Sequence, residues 1–149
     1  MSTLEKAIAL AVTAHEGQVD KAGQPYVLHP LRVMLALKST EERIVGVLHD
    51  VVEDCDVSLE ELREHGFSAA IIQAIDSVTK RPEEKGDDGY QSFVVRAGKN
   101  LIGRRVKIAD LMDNMDLTRL AELSDKDFRR LDRYMKALRY LEELETKSN

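Results

Sequence analysis

Residues 41–54 read EERIVGVLHDVVED, and this stretch decides the fold. Apolar side chains occupy almost the whole circumference of a helix drawn through it, so it predicts a helix buried in the centre of the protein. We expect Thr40 to cap this helix without a capping box, because Arg43 stands three positions later where a glutamate would be needed. Four ionisable residues interrupt its apolar second half: His49, Asp50, Glu53 and Asp54.

The remainder of the chain also follows a helical repeat. Apolar residues recur at spacings of three and four through residues 2–16, 68–78, 90–99 and 101–118, and no segment alternates with period two. Residues 81–89 are polar and contain glycine and proline, which predicts a mobile loop. We therefore predict an all-α fold in one domain, residues 1–149, with about seven or eight helices, a core over 4–120 and a last helix over about 125–146.

The composition limits the classes of function. The chain has 149 residues, 33% of them charged, and a net charge of −5. A nucleic-acid polymer is an unexpected partner because binding one usually requires a basic face, whereas a small anionic ligand is compatible. The single cysteine, Cys55, leaves no intrachain disulfide and no cysteine-based zinc site. Since neither a signal peptide nor a membrane span is evident, we expect a cytoplasmic protein without a membrane partner.

The ionisable residues of the central stretch suit a divalent metal. Burying three carboxylates on one helix is costly unless a cation holds them, and imidazole with carboxylate suits zinc, manganese or iron. Drawn as one helix, the stretch places His49 above Glu53 and Asp50 above Asp54. The alternative is an acidic helix end that faces solvent, and spacing alone does not decide between the two.

Two residues outside the stretch favour the metal interpretation. His29 lies at the junction of a loop and a helix, and Asp110 lies in a helix among apolar neighbours, with Asn114 one turn later on the same face. Each has an ordinary alternative, a structural histidine and a solvated surface carboxylate. Taken together with the central stretch, however, they complete the order His, His-Asp, Asp along the chain.

This order resembles the metal signature of the HD-domain phosphohydrolases. The finer resemblance is to the hydrolase domain of the RelA/SpoT homologues, including their small stand-alone hydrolases. It is carried by AHEGQ (14–18), GQPYVLHP (23–30), LHDVVEDCD (48–56), VTK (78–80) and VKIAD (106–110). A lone His-Asp pair means little, but Gly-x-Pro-Tyr-x-x-His-Pro combined with His-Asp-x-x-Glu-Asp is a specific pattern.

The resemblance implies a metal-dependent phosphohydrolase that acts on a small phosphorylated nucleotide. The best expectation is removal of the 3′-pyrophosphate from guanosine tetra- or pentaphosphate, the alarmones of the stringent response. The implied metal is one ion, usually Mn²⁺, with the ligands His29, His49, Asp50 and Asp110. Glu53 and Asp54 are implied to orient or activate the attacking water. Substrate contacts are implied for Lys21, Lys107 and Asn114.

Three positions depart from the pattern of these relatives. Asp20 replaces an expected arginine, and Leu111 and Asp113 stand where basic, aromatic or histidine residues are usual. The changes predict a less basic substrate side and an altered nucleotide specificity. Asp20 would repel a nearby phosphate, or it could accept hydrogen bonds from the guanine N1 and N2 groups.

Two alternative functions stay open. One is a phosphatase that acts on another nucleotide, such as NADPH or a nucleoside monophosphate. The other is a non-catalytic module that keeps the metal for stability, although such a metal would not need the spare carboxylates of Glu53 and Asp54. No synthetase domain follows, so synthesis of the alarmone is not expected, and the charged last helix offers a face for a homodimer.

Overall fold

The structure is a computed structural model that describes residues 2–148. Within these residues the chain forms nine α-helices and one short 3-10 helix, Leu117–Arg119. The α-helices are α1 (Leu4–Ala14), α2 (Leu28–Ala36), α3 (Thr40–Leu48), α4 (Val51–Asp54), α5 (Leu59–Glu64), α6 (Ala69–Ser77), α7 (Gly86–Gly98), α8 (Leu101–Asn114) and α9 (Asp125–Ser148). An isolated bridge between Val19 and Pro25 is the only strand-like pairing in the described part of the chain. The predicted all-α fold is confirmed.

Helix α3 lies in the centre of the fold. It packs against α1, α2, α6 and α8, and its residues Val45, Val47 and Leu48 are completely buried. A Cβ atom at Gly46 would lie only 2.6 Å from Leu37 Cδ1, so the glycine permits α3 to approach the end of α2. Each fully buried side chain of this kind stabilises the fold by about 2 kcal/mol. The apolar first half of the stretch thus fixes the position of the ionisable residues that follow it.

The start of α3 differs from the expectation. Ser39 caps the helix, not Thr40. Its hydroxyl accepts a hydrogen bond from the backbone N–H of Glu42, and the Glu42 carboxylate accepts one from the backbone N–H of Ser39. A capping box therefore exists, one residue earlier than predicted. The prediction was wrong because Thr40 and Ser39 are both good caps, but only Ser39 has a glutamate, Glu42, three positions later.

The predicted continuous helix over 41–54 is divided. α3 ends at Leu48, His49 and Asp50 form a turn, and α4 follows as a single helical turn. His49 Nδ1 donates to the carbonyl oxygen of Gly46 at 2.6 Å, an acceptor that an uninterrupted helix would pair with the backbone of Asp50. This side-chain bond competes with the backbone hydrogen bonds of the helix at His49 and Asp50.

The C-terminal helices form a second cluster of buried side chains, separate from the core around α3. Its members come from α7, α8 and α9: Tyr90, Phe93, Val94, Leu111, Ala137, Leu138 and Leu141. Helix α7 begins at Gly86 rather than near residue 90, so the predicted loop over 81–89 is shorter than expected. Helix α8 ends at Asn114, and the 3-10 helix takes up the remainder of the predicted 101–118 segment. Among the described residues, no helix combines the length and the apolar character that crossing a membrane requires.

Candidate metal centre

Three buried side chains converge between helices α2, α3 and α8. His29 lies in the first turn of α2, His49 follows the end of α3, and Asp110 lies in α8. One ligand atom from each lies within 4.8 Å of the other two. Asp110 Oδ1 is 2.9 Å from His29 Nε2 and 3.3 Å from His49 Nε2. Packing of α3 against α2 and α8 therefore brings together residues that are 81 positions apart.

Asp50 adjoins these three residues. Its Oδ2 atom lies 3.1 Å from His49 Nε2 and 3.7 Å from His29 Nε2. The hydroxyl of Tyr26 donates to the same oxygen at 2.6 Å, and this contact orients the carboxylate. Asp50 thus lies beside the convergent group of His29, His49 and Asp110, and Tyr26 is a supporting residue that the sequence does not single out.

The ring nitrogens of the two histidines are assigned by their outer partners. The carbonyl of Gly46 can only accept, so His49 Nδ1 carries the proton and Nε2 presents a lone pair in the neutral ring. Within residues 2–148, His49 Nε2 is buried and makes no hydrogen bond of good geometry, although Asp50 Oδ2 lies 3.1 Å from it. His29 Nδ1 donates to Asp113 Oδ2 at 2.7 Å and leaves its Nε2 facing carboxylate oxygens. Burial alone would lower the pKa of both imidazoles, but the neighbouring carboxylates raise it, so each Nε2 binds a positive species at this point, either a proton or a cation. Imidazole nitrogens beside carboxylate oxygens are a donor set that fits a divalent metal.

Lys107 takes a place different from the expected substrate contact. Its side chain is buried, and its Nζ donates to Asp110 Oδ2 at 2.9 Å. The ammonium also lies 4.8 Å from the centre of the Phe93 ring. Burial alone would raise the pKa of Asp110, but the charge of Lys107 and the contacts with the His29 and His49 rings hold that pKa well below its usual range. Lys107 therefore keeps Asp110 ionised, and its ammonium is paired with that carboxylate.

Glu53 and Asp54 lie on the exposed side of this cluster. One oxygen of each lies within 4.8 Å of the other and of an oxygen of Asp50. Desolvation and the charge of Asp50 raise the pKa of both carboxyls, and for Glu53 a hydrogen bond from the backbone of Lys80 opposes the shift. That bond joins Lys80 N to Glu53 Oε1 at 2.7 Å. Both carboxylates are therefore within reach of a group bound beside Asp50, and both stay open to solvent.

A cavity of about 270 Å³ opens beside His29. Its walls come from the loop before α2, the end of α8, the 3-10 helix and α9, and they include the predicted substrate residues Lys21 and Asn114. Asn114 also donates to Asp110 Oδ1 at 3.0 Å, so it joins the cavity to the cluster. The cavity is lined by arginines that are each paired with an aspartate: Arg32 with Asp113, Arg119 with Asp116, and Arg130 with Asp127.

The three departures from the expected pattern have different places. Leu111 is completely buried in the second cluster, so the expectation that it alters the substrate side is wrong, since its side chain does not reach the cavity. Asp113 lines the cavity but binds His29 and Arg32, and its position three residues after Asp110 could have suggested a shared helix face. Asp20 Oδ1 accepts from the backbone of Ala22 and of Gln24, at 2.9 Å each. That oxygen therefore shapes the loop and is not free for guanine.

Comparison with known proteins places this geometry in a family. Residues 7–92 match the model of the HD domain. The guanosine-3′,5′-bis(diphosphate) 3′-pyrophosphohydrolase of Vibrio cholerae is 30% identical over 126 residues, which are 77% of this chain and 18% of that protein. A GTP pyrophosphokinase of Myxococcus xanthus is 33% identical over 129 residues, 77% of this chain and 17% of that protein. The chain thus spans under a fifth of the length of these relatives.

A solved structure shares the fold over its whole length. It is a metazoan orthologue of SpoT described as hydrolysing ppGpp, and it has a TM-score of 0.76 at 20% sequence identity. The similarity covers 100% of this chain and 97% of that one. The matched region 7–92 includes His29, His49 and Asp50, and the same fold carries Asp110 to them. The chain therefore belongs to the HD-domain family.

Proposed function

We propose that this protein is a metal-dependent phosphohydrolase that removes the 3′-pyrophosphate from guanosine 3′,5′-bis(diphosphate). The observation that carries the proposal is the convergence of the buried ligand atoms of His29, His49 and Asp110, with Asp50 Oδ2 3.1 Å from His49 Nε2, beside an open cavity. The activity named for the pyrophosphohydrolase of Vibrio cholerae supports the choice of reaction.

The proposed ligands are His29, His49, Asp50 and Asp110, and the proposed metal is Mn²⁺, which takes imidazole and carboxylate together. A divalent ion held there supplies Lewis-acid polarisation of a phosphoryl oxygen and of water. The acceptors bound to Nδ1 of the two histidines orient their rings for metal binding. Gly46 and Asp113 fix their tautomers, and such second partners raise both the basicity of the ligand and the affinity for the ion.

We assign proton transfer to Glu53 and orientation of the water to Asp54. In the described part of the chain, the one hydrogen bond to the Glu53 carboxylate is from Lys80 N to Oε1, which leaves Oε2 to accept a proton. Its raised pKa makes the carboxylate a better base than an ordinary surface glutamate, because proton affinity rises with pKa. Asp54 lies beside it on the same exposed side of the cluster, where it can hold the water by a second hydrogen bond.

The cavity beside His29 is the proposed nucleotide site. Lys21 and Asn114 line it, and Asn114 reaches from the cavity wall to Asp110. Lys21 offers a cation for an anionic substrate, and burial together with Arg130 lowers the pKa of its ammonium. Lys107 is assigned to Asp110 instead of to the substrate. The cytoplasmic setting and the homodimer that were expected from the sequence stay predictions.

The test is a comparison of substrates with added Mn²⁺. Guanosine tetraphosphate, NADPH and nucleoside 5′-monophosphates are supplied at equal concentration, and released phosphate and pyrophosphate are measured separately. We expect pyrophosphate from guanosine tetraphosphate, and no product after chelation of the metal. Release of phosphate from NADPH or a monophosphate alone would overturn the alarmone as substrate and keep the metal chemistry. Tight binding of a nucleotide without turnover would favour the non-catalytic module.

A further inference from the structure

The segment between α6 and α7 is fastened to α7 by one arginine. Arg96 donates to the backbone oxygens of Asp76 and Thr79, at 2.8 Å each. It also binds the Glu84 carboxylate, with Nη2 2.7 Å from Oε1 and Nε 3.2 Å from Oε2. One guanidinium therefore holds the last turn of α6 together with the middle and the end of this segment.

Two further contacts hold the end of the segment near Glu84. Glu84 is buried and also accepts from the backbone of Arg81 at 2.8 Å. At Gly89 a Cβ atom would lie 2.4 Å from the carbonyl carbon of Glu84, so the segment lies directly on the first turn of α7. A mobile loop would not need a glycine at this contact. The segment is thus held at a fixed distance from α7.

The peptide group between Thr79 and Lys80 connects this clamp to the proposed active site. Its oxygen accepts from Arg96, and its N–H donates to Glu53 Oε1 at 2.7 Å. A trans peptide is planar and directs its C=O and N–H to opposite sides. Arg96 and Glu53 therefore bind the two ends of one rigid group, and each hydrogen bond polarises the other.

Glu53 depends on this group for its orientation. Within residues 2–148, the bond from Lys80 N is the only hydrogen bond that its carboxylate makes, and its side chain is exposed. An exposed glutamate without partners samples several rotamers, and fixing one of them costs up to about 2 kcal/mol of side-chain entropy. The Thr79–Lys80 peptide that selects this rotamer is in turn held by the hydrogen bond from Arg96 to its carbonyl oxygen.

We propose that Arg96 is a positioning residue for the hydrolytic reaction. It acts through the Thr79–Lys80 peptide to hold Glu53 in the orientation that accepts a proton. The inference rests on the proposed role of Glu53. It assigns a function to a residue that lies outside the metal ligands and outside the cavity lining, on the face of α7 that contacts the segment.

The kinetic test combines Arg96→Gln and Arg96→Lys with Glu53→Gln. Lysine keeps a charge for Glu84 but loses the planar fork that reaches both carbonyls, so both variants should lower kcat by about 10-fold or more, as expected for a misplaced catalytic group. KM and Mn²⁺ affinity should stay within about 2-fold of the wild-type values, because the changes leave the ligands untouched. Arg63→Gln, which removes a solvent-exposed ion pair with Glu60, is the matched control.

The double variants separate positioning from a general loss of structure. If Arg96 acts through Glu53, then Arg96→Lys should cause no further loss of kcat once Glu53 is already glutamine. An equal loss in both backgrounds would overturn the proposal, as would an Arg96→Lys enzyme with wild-type kcat.

A measurement without substrate or metal keeps the inference separate from the proposed function. Amide hydrogen exchange at Lys80 should be slow in the wild-type protein and at least about 10-fold faster in Arg96→Lys, while amides of the buried helix α3 keep their protection. Unchanged protection at Lys80 would overturn the clamp. If the wild-type protein hydrolyses no nucleotide but the exchange result holds, the proposed function fails while the clamp stands.

Discussion

His29 Nδ1 lies 2.7 Å from Asp113 Oδ2, and this contact determines which ring nitrogen faces the cluster. Arg32 holds the same carboxylate, with its Nε 2.8 Å from Oδ1. His29, Asp113 and Arg32 thus form a short chain that runs from the proposed metal to the cavity wall. Asp113, which looks from the sequence like a change in substrate recognition, is first a support for His29.

Removal of this support should weaken the metal site. Asp113→Ala leaves His29 without its outer acceptor, and we expect the affinity for Mn²⁺ to fall by about 10- to 100-fold. Arg32→Ala keeps the contact between His29 and Asp113 and should cause a smaller loss. Isothermal titration with Mn²⁺ measures both, and Asp132→Ala at an exposed pair on α9 serves as the control. Equal affinity in Asp113→Ala and wild type would contradict the role given to Asp113.

Metal binding should raise the thermal stability of the protein. An ion that binds only the folded chain stabilises it by about 2.7 kcal/mol at a concentration one hundred times its Kd. For a chain of this size that corresponds to an increase in Tm of roughly 5–10 °C. Thermal unfolding with and without Mn²⁺ measures the shift, which should disappear in Asp110→Ala. A shift that persists in that variant would show that the ion binds elsewhere.

Glu53 should matter for turnover and not for metal binding. Glu53→Gln keeps the acceptor for Lys80 N but removes the base, so kcat should fall by about 100-fold or more. Metal content, measured by elemental analysis after dialysis, should match the wild type. If the variant instead loses its metal, Glu53 is a ligand and its assignment as base is incorrect.

The sequence predicts much of the candidate site from short motifs, and it misses features that depend on which partner a side chain contacts. The ligand set His29, His49, Asp50 and Asp110 is implied by the resemblance of these motifs to the HD-domain family, and the buried helix α3 is predicted by its apolar circumference. The break after Leu48 depends on a bond from His49 to Gly46 that helical periodicity does not reveal.

Specific side-chain contacts explain the other differences. The early start of α7 depends on the packing of Glu84 against Gly89 and on its bond to Arg96. Lys107 resembles a substrate contact in the sequence, but its ammonium is drawn to Asp110 on its own helix because both side chains are buried there. Tertiary packing decides which of several nearby partners a charged side chain contacts.

Asp20 should influence substrate affinity through its charge. Its Oδ1 is occupied by the backbone of Ala22 and Gln24, so Asp20→Asn keeps this turn while removing the negative charge from the cavity wall. We expect KM for guanosine tetraphosphate to fall by about 5-fold at low salt, equivalent to roughly 1 kcal/mol of repulsion, and less at high salt.

Comparison with Asp20→Arg separates the charge from the turn. Arginine cannot accept those backbone bonds, so this variant should disturb the loop as well as change the ranking of nucleotides. Initial rates at several salt concentrations distinguish the effects. A KM for Asp20→Asn that is unchanged at every salt concentration would show that the carboxylate lies too far from the bound nucleotide to matter.

The capping box of α3 should make the stability of the protein depend on pH. Burial alone would raise the pKa of Glu42, but hydrogen bonds from Arg105 and from the backbone of Lys38 and Ser39 hold it below its usual range. A carboxyl group with a lowered pKa in the folded state stabilises that state above its unfolded pKa, and the contribution is lost as pH falls through the folded value. Glu42→Gln should therefore lower the free energy of unfolding at pH 7 by about 1 kcal/mol, a value reduced by solvent screening of the partly exposed Arg105. The difference from wild type should shrink below about pH 4, near the pKa of an unfolded glutamate.

Urea unfolding at pH 7, 5, 4 and 3 measures this difference, with Glu61→Gln in the capping box of α5 as the matched control, because that glutamate has the same cap contact without an arginine partner. A difference between Glu42→Gln and wild type that stays constant down to pH 3 would show that the lost contribution is packing and not charge.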